Sequence, residues 1–394
     1  MKEKVVVLSC APVLNEFQTQ GLMQLVHDFE QRQYRVIYYG NLNNKSFNRY
    51  RLTDVKYNKL IYKIKFYWVL LRIDRHKWIA RLKEHLADQQ QPINYKILKG
   101  AVRSAVQYFC TAKPDLFICW NPFSPIFGVM ADTARLLGIK TGGMDWGFLP
   151  GTFLIDSGGT LAHSQVFNGS VTYADPHRYL TIGESLFSDL NKQSVSLYQQ
   201  ATEPLPDELV QADARQIKVL LIGIDMVDSG AVPDTDADRI GLLPFHKSCI
   251  TQALDVAAAD PDFRVILKPH PSHNTTPQSQ KLSDNCWLIN TNPDELISWA
   301  DVIICSGSKM EFSALLADKP LVNIGAGILY KKGCSYDINQ PAEIADCIRQ
   351  AWQHGVTHEQ LQAFKIFLGY LHEDYLYLYN QSHNNTVVLD RLIS

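Results

Sequence analysis

Four short segments of this 394-residue chain set polar and charged side chains immediately after apolar runs. In 301–325 the run DVIIC ends in Ser306-Gly307-Ser308, and a helical pattern starts near Lys309. Unbonded N–H groups and the helix dipole at such a start attract an anion such as a phosphate, and Gly307 lets the backbone approach it closely. Glu311, one turn on, can accept from both hydroxyls of a ribose. Ser308-x-x-Glu311 equally fits a capping box that only stabilises the helix. In 267–273, LKPHPSH follows the run FRVIL. Its two prolines stiffen the turn that carries Lys268 and His270, which can neutralise a phosphate or a sugar carboxylate. In 223–230, GIDMVDSG offers Asp225 and Asp228 as nucleophile or base, although Asp, Ser and Gly also make ordinary turns. In 142–152, GGMDWGFLPGT offers Asp145 as an acid/base, or as a simple cap. Trp146 and Gly147 beside it suit a tight loop against which a sugar stacks.

Side chains placed after apolar runs need a scaffold of strands. Val5–Leu8, Tyr34–Tyr39, Asp115–Cys119 and 140–142 read as buried strands. Helical periodicity through Leu22, Leu25, Val26 and Phe29, and again around 126–137, separates them. A composition break at 201–216, with two prolines and several acids, reads as a linker. Beyond it come strands at Lys218–Ile224, Phe263–Leu267, Trp287–Ile289, Asp301–Cys305 and Pro320–Ile324, with helices at 246–258, 309–317 and 341–353. Alternating strands and helices predict an α/β fold with two doubly wound, Rossmann-like domains. The expected domains are 1–205 and 217–375, with a C-terminal helix at 376–394 packing back on the first. Ligands in such sheets sit beyond the carboxyl ends of the strands, where all four segments fall.

The remaining composition is that of an ordinary globular protein: 46% hydrophobic, 20% charged, formal net charge −2. That balance argues against general nucleic-acid binding. The eight cysteines form no CxxC pair and read as reduced core residues. The N-terminal apolar run is too short for a signal peptide, and no stretch is long enough to span a membrane, so a cytoplasmic location is expected. GxGxxG, Walker A, HExxH and GxSxG patterns are absent, which argues against dehydrogenases, NTPases, zincins and serine hydrolases. Asp234-Thr235-Asp236 reads as an acidic surface turn rather than a metal motif.

The segment from Lys45 to Lys83 holds twelve Lys/Arg against Asp54 and Asp74, interleaved with Tyr57, Tyr62, Phe66, Tyr67, Trp68 and Trp78. It reads as a helical insertion at about 45–85: either a solvated cover of the first domain or a surface for anionic lipid.

KPHPSH, followed some thirty residues later by SGSKMEFSALLADKPLVNIG, resembles the nucleotide-binding half of GT-B glycosyltransferases that assemble bacterial capsule and surface polysaccharides. MDWGFLPGT resembles the acid-x-Gly-Phe-Leu loop of retaining β-Kdo transferases, and GIDMVDSG stands where that family carries its catalytic aspartate. The resemblance spans roughly 110–330. It implies two lobes facing a cleft and transfer of Kdo from CMP-β-Kdo, with retention, to an O-antigen or capsule acceptor that is lipid-linked. Asp228 would be the nucleophile, with Asp225 competing for the role, and Asp145 would stand where the family has a glutamate. Lys268, His270, Ser306, Gly307, Ser308 and Glu311 would hold the donor, and Trp146 and Gly147 would lie on the acceptor side. No metal or cofactor is required by that scheme, because basic groups can stabilise the leaving phosphate. The protein would then work in the cytoplasm, peripheral at the inner face of the membrane. The alternatives are a transferase using a UDP-sugar or CMP-sialic acid, and a sugar-nucleotide epimerase of the same architecture.

Overall fold

A computed structural model describes residues 3–9, 15–39, 58–79, 95–160, 163–167, 171–191, 204–210, 216–222, 246–269, 278–324, 327–338, 341–379 and 385–394. The chain divides into two compact units, 1–164 with 374–394, and 165–373.

The first unit is a six-stranded sheet in the order β13-β5-β4-β3-β1-β2. Its strands are β1 (Lys4–Ser9), β2 (Tyr34–Tyr39), β3 (Leu116–Trp120), β4 (Lys140–Trp146), β5 (Thr152–Asp156) and β13 (Tyr377–Leu378). β1 to β4 are parallel, and β5 and β13 run antiparallel at one edge. The alternation of strand side chains builds a core on each face. Val6 and Leu8 pack with α1 (Glu16–Gln31) and with α12 (Asn385–Ile393) on one face. Val5 and Val7 pack with α3 (Tyr95–Ala112) and α4 (Pro125–Leu136) on the other. α2 (Lys59–Arg72) covers α3 and α4 through Phe66, Val69 and Leu70.

The second unit is a seven-stranded sheet, β12-β11-β10-β6-β7-β9-β8. Its strands are β6 (Ile217–Ile222), β7 (Phe263–Lys268), β8 (Gln280–Ser283), β9 (Cys286–Leu288), β10 (Val302–Cys305), β11 (Leu321–Ile324) and β12 (Tyr336–Ile338). All neighbours are parallel except β8 and β9. α7 (His246–Ala259) and α10 (Ile344–His354) pack on one face through Ala253, Ala257, Ile344 and Ile348. α8 (Pro293–Trp299) and α9 (Met310–Leu316) connect the strands, and a single helical turn, α6 (Asp207–Val210), precedes β6. The fold is therefore α/β, with two doubly wound, Rossmann-like sheets and helices at the C-terminus.

Both units use one closing device. Asp115 and Asp301 each stand just before the strand beside the unit's first strand. Asp115 Oδ2 accepts from Val5 N at 2.8 Å, and Asp115 N donates to Val5 O. Asp301 Oδ2 accepts from Lys218 N at 2.9 Å, and Asp301 N donates to Lys218 O. The sequences DLFIC and DVIIC thus occupy equivalent places, and each fixes the register of its switch-point strand.

The chain divides elsewhere than the composition break at 201–216 suggests. α5 (Pro176–Leu190) packs along α11 (His358–Tyr370). A Cβ on Gly183 would lie 1.7 Å from Lys365 O, and one on Gly369 2.0 Å from Tyr179 O. That backbone approach draws 165–190 into the second unit. Residues from Asp374 onward belong to the first. There β13 pairs with β5, Tyr377 Oη donates to buried Asp28, Tyr375 Oη donates to buried Asp156, and Asn385 bonds both backbone atoms of Leu378.

Candidate functional site

Doubly wound sheets bind ligands where the strand order reverses. In the second unit the chain runs outward from β6 to β7 and β9, then returns to β10 on the other side of β6. The switch point therefore lies at the carboxyl ends of β6 and β10. Register places Ile222 beside Lys268 and Leu221 beside Ile304. Lys268 and Ser306 thus leave the same sheet edge, two strands or roughly 10 Å apart. The chain beyond Ile222 starts between them. It carries Asp225 and Asp228, which lie outside the described residues, as does His270.

Lys268 is the last residue of β7 and is buried. Burial disfavours its ammonium and lowers its pKa to about 8.

Ser306 is buried, and Gly307 turns the chain with φ 74°. Only glycine adopts that left-handed conformation without strain. α9 starts at Met310 and has seven residues. Ser308 Oγ accepts from Met310 N at 3.3 Å. No capping box forms, because Glu311 reaches past Ser308. Its Oε1 accepts from Gly307 N at 2.7 Å and its Oε2 from Leu329 N at 2.9 Å.

Glu311 has 0% exposure. Its carboxylate ties the Ser306–Ser308 turn to the 327–332 turn rather than facing a ribose. Burial raises its pKa to about 7, against the opposing pull of the two N–H donors. Gly327 lies flush against it: a Cβ there would meet Glu311 Oε1 at 2.5 Å and Asn323 Nδ2 at 2.6 Å. Asn323 is wholly buried, and neither amide atom is paired among the described residues. Lys332, also buried, donates to Tyr330 O at 3.1 Å, and its pKa falls to about 8 through burial. Asn323 and Lys332 carry no signal in the sequence beyond standing in or after an apolar strand.

In the first unit, β4 extends to Trp146, so Asp145 and Trp146 lie on a strand rather than in a loop. The antiparallel partner β5 holds them there, with Asp145 opposite Leu154 and Trp146 opposite Phe153. Asp145 is half-buried and its Oδ1 accepts from Trp146 N at 2.7 Å. The Trp146 ring packs edge-on to Trp120 at 4.6 Å and stacks with Phe153 at 5.8 Å. The indole is thereby largely committed to the core. Gly147 closes the hairpin against Thr152, where a Cβ would meet Oγ1 at 1.8 Å.

Cys110, Cys119, Cys286, Cys305, Cys334 and Cys347 are free thiols. Among the described residues no helix is long and apolar enough to cross a membrane.

No family model matches this chain, and no curated protein matches it in sequence. Solved structures similar to it include the β-Kdo 2,4 transferase of Thermosulfurimonas dismutans KpsC, with TM-score 0.44 and 16% identity, over 64% of this chain and 79% of that one. The β-Kdo 2,7 transferase of the same KpsC has TM-score 0.44 and 14% identity, over 93% and 89% of the two chains. Anabaena Alr3699/HepE in complex with UDP-glucose has TM-score 0.36 and 10% identity, over 98% of each chain.

Proposed function

We propose that this protein is a GT-B glycosyltransferase that moves Kdo from CMP-β-Kdo, with retention, to a lipid-linked O-antigen or capsule acceptor at the inner face of the cytoplasmic membrane. The observation that carries the proposal is the switch point of the second sheet. It sets a buried lysine, a Ser-Gly-Ser turn and the start of the Asp225/Asp228 segment along one edge. These are also the segments whose sequences resemble the retaining β-Kdo transferases.

In this reading Asp228 attacks the anomeric carbon and CMP departs. A glycosyl ester forms, and the acceptor hydroxyl then displaces the aspartate on the same face from which CMP left. Two inversions give retention. Asp145 assists by holding or moving the acceptor's proton. Lys268 holds the sugar's carboxylate, and His270 with Ser306 and Ser308 holds the CMP phosphate. Glu311 acts one step back, by fixing the turn that carries Ser306 and Ser308. No metal is assigned a role.

A thermal-shift series with CMP, UDP and GDP tests the donor class: CMP stabilises the protein most, and preferential stabilisation by UDP overturns the Kdo assignment. Incubation with CMP-Kdo and acceptor tests the chemistry, because Asp228→Ala abolishes transfer. Full transfer by that variant refutes the assigned mechanism. Conversion of the donor without any acceptor would identify an epimerase instead.

A further inference from the structure

α2 has two apolar faces. Phe66, Val69, Leu70 and the following Ile73 point into the first unit and are buried with α3 and α4. Leu60, Ile61, Ile64, Tyr67, Trp68 and Leu71 point outward and are exposed, Leu60 by 68% and Leu71 by 76%. At about 100° per residue the outward set fills an arc of roughly 120°, centred nearly opposite the buried set. A helix serving only to cover the core would be polar on that side.

The charges follow the same geometry. Lys63 falls on one border of the outward stripe, and Lys65 and Arg72 on the other. Lys59 opens the first turn, and all four are exposed. The helix holds no Asp or Glu. Arg72 lies over the Trp68 ring at 4.3 Å, which holds the indole at the stripe's edge. Asn58 caps the helix through Leu60 N and Ile61 N, so the stripe starts on an ordered turn.

We infer that the outward face of α2 lies in the headgroup region of an anionic lipid bilayer. Aliphatic side chains along the centre, tyrosine and tryptophan beside them and cations along both borders are the composition of an interfacial helix. The 14 residues give a footprint of about 21 Å. A protein partner's apolar groove would match the aliphatic residues but not the cations on both borders, which pair with no acid among the described residues, whereas a layer of lipid phosphates meets both at once. The inference stands on α2 alone and does not depend on the transferase reading.

Co-sedimentation of the full chain with vesicles tests it. Phosphatidylcholine vesicles containing phosphatidylglycerol bind the protein, and pure phosphatidylcholine vesicles bind it on the order of tenfold more weakly. Ile64→Gln with Leu71→Gln replaces two outward, exposed apolar side chains with polar ones. The variant melts like wild type and loses at least roughly tenfold in vesicle affinity. Lys63→Glu with Lys65→Glu weakens binding to anionic vesicles and reduces the share of it that added salt removes. Wild-type protein that ignores both vesicles overturns the proposal, as does unchanged binding by the Gln variant. A concentration-dependent dimer in light scattering, abolished by Ile64→Gln with Leu71→Gln, would show that a second copy covers the face and would equally overturn it.

Discussion

Glu311→Gln isolates the balance between burial and hydrogen bonding in the second unit. The wild-type carboxyl has 0% exposure and a pKa raised from 4.5 to about 7. A carboxyl whose folded pKa exceeds its unfolded value binds its proton more tightly in the native state. The resulting stability is complete below about pH 4.5 and is lost as pH rises to about 7. At 1.36 kcal/mol for each unit, the loss approaches 3 kcal/mol. Glutamine is nearly isosteric but does not titrate. Its oxygen can accept from one of Gly307 N and Leu329 N, and its NH2 then faces the other. That mismatch costs about 1–3 kcal/mol at acid pH.

The variant is therefore less stable than wild type near pH 4.5, and its deficit shrinks by about 3 kcal/mol as pH rises beyond 7. Urea unfolding across that range measures the difference, read by hydrogen exchange of β10 and β11 amides so that the second unit alone is followed. Titrations common to both proteins cancel in the difference. A deficit independent of pH would mean that Glu311 titrates normally. A deficit that grows with pH would mean that the two N–H donors outweigh burial. Either result refutes the reasoning.

Four further outcomes are expected. Gly183→Ala drives a Cβ into Lys365 O and lowers stability by about 3 kcal/mol or more in thermal melts. Gly100→Ala, on α3 with nothing within 4 Å, raises it by about 0.5–1 kcal/mol. Lys268→Met replaces the buried ammonium at the end of β7 with an uncharged side chain of similar length. On the proposed function, its KM for CMP-Kdo rises at least roughly tenfold while the affinity for CMP alone is kept. Tyr377→Phe takes one donor from buried Asp28, leaving Gln24 Nε2 at 2.8 Å, and costs about 1–3 kcal/mol in urea unfolding.

The sheets were legible because their central strands are buried on both faces and therefore read as unbroken apolar runs, from VVVL in β1 to VIIC in β10. The edge strands β8, β12 and β13 leave no such mark. β8 has every residue exposed, and β12 and β13 have three and two residues. β4 was read short because Gly142 and Gly143 suggest a turn. Close packing explains them instead, since a Cβ on Gly142 would meet Leu392 of α12 and one on Gly143 would collide with Gly159 and Thr160. The unit boundary was invisible because prolines and acids mark a break in local composition, whereas the boundary follows the glycine-to-carbonyl contact of α5 with α11 across nearly two hundred residues.

Glu311 shows why a site is harder to read than a sheet. Its position, one turn into a helix after a Ser-Gly-Ser turn, is equally consistent with a ribose contact and a capping box. The sequence cannot separate them, because the deciding partner is Leu329 N, eighteen residues on. The structure selects a third arrangement, a carboxylate joining two turns. That arrangement makes the residue no less relevant to an anion at the switch point. Bonded to Gly307 N, it removes that donor from any ligand and fixes the shape of the turn that carries Ser306 and Ser308. On the proposed function, Ser306→Ala and Ser308→Ala weaken CMP binding together by more than either does alone, whereas Glu311→Gln weakens it only as far as it loosens the turn, a split that calorimetry with CMP would reveal.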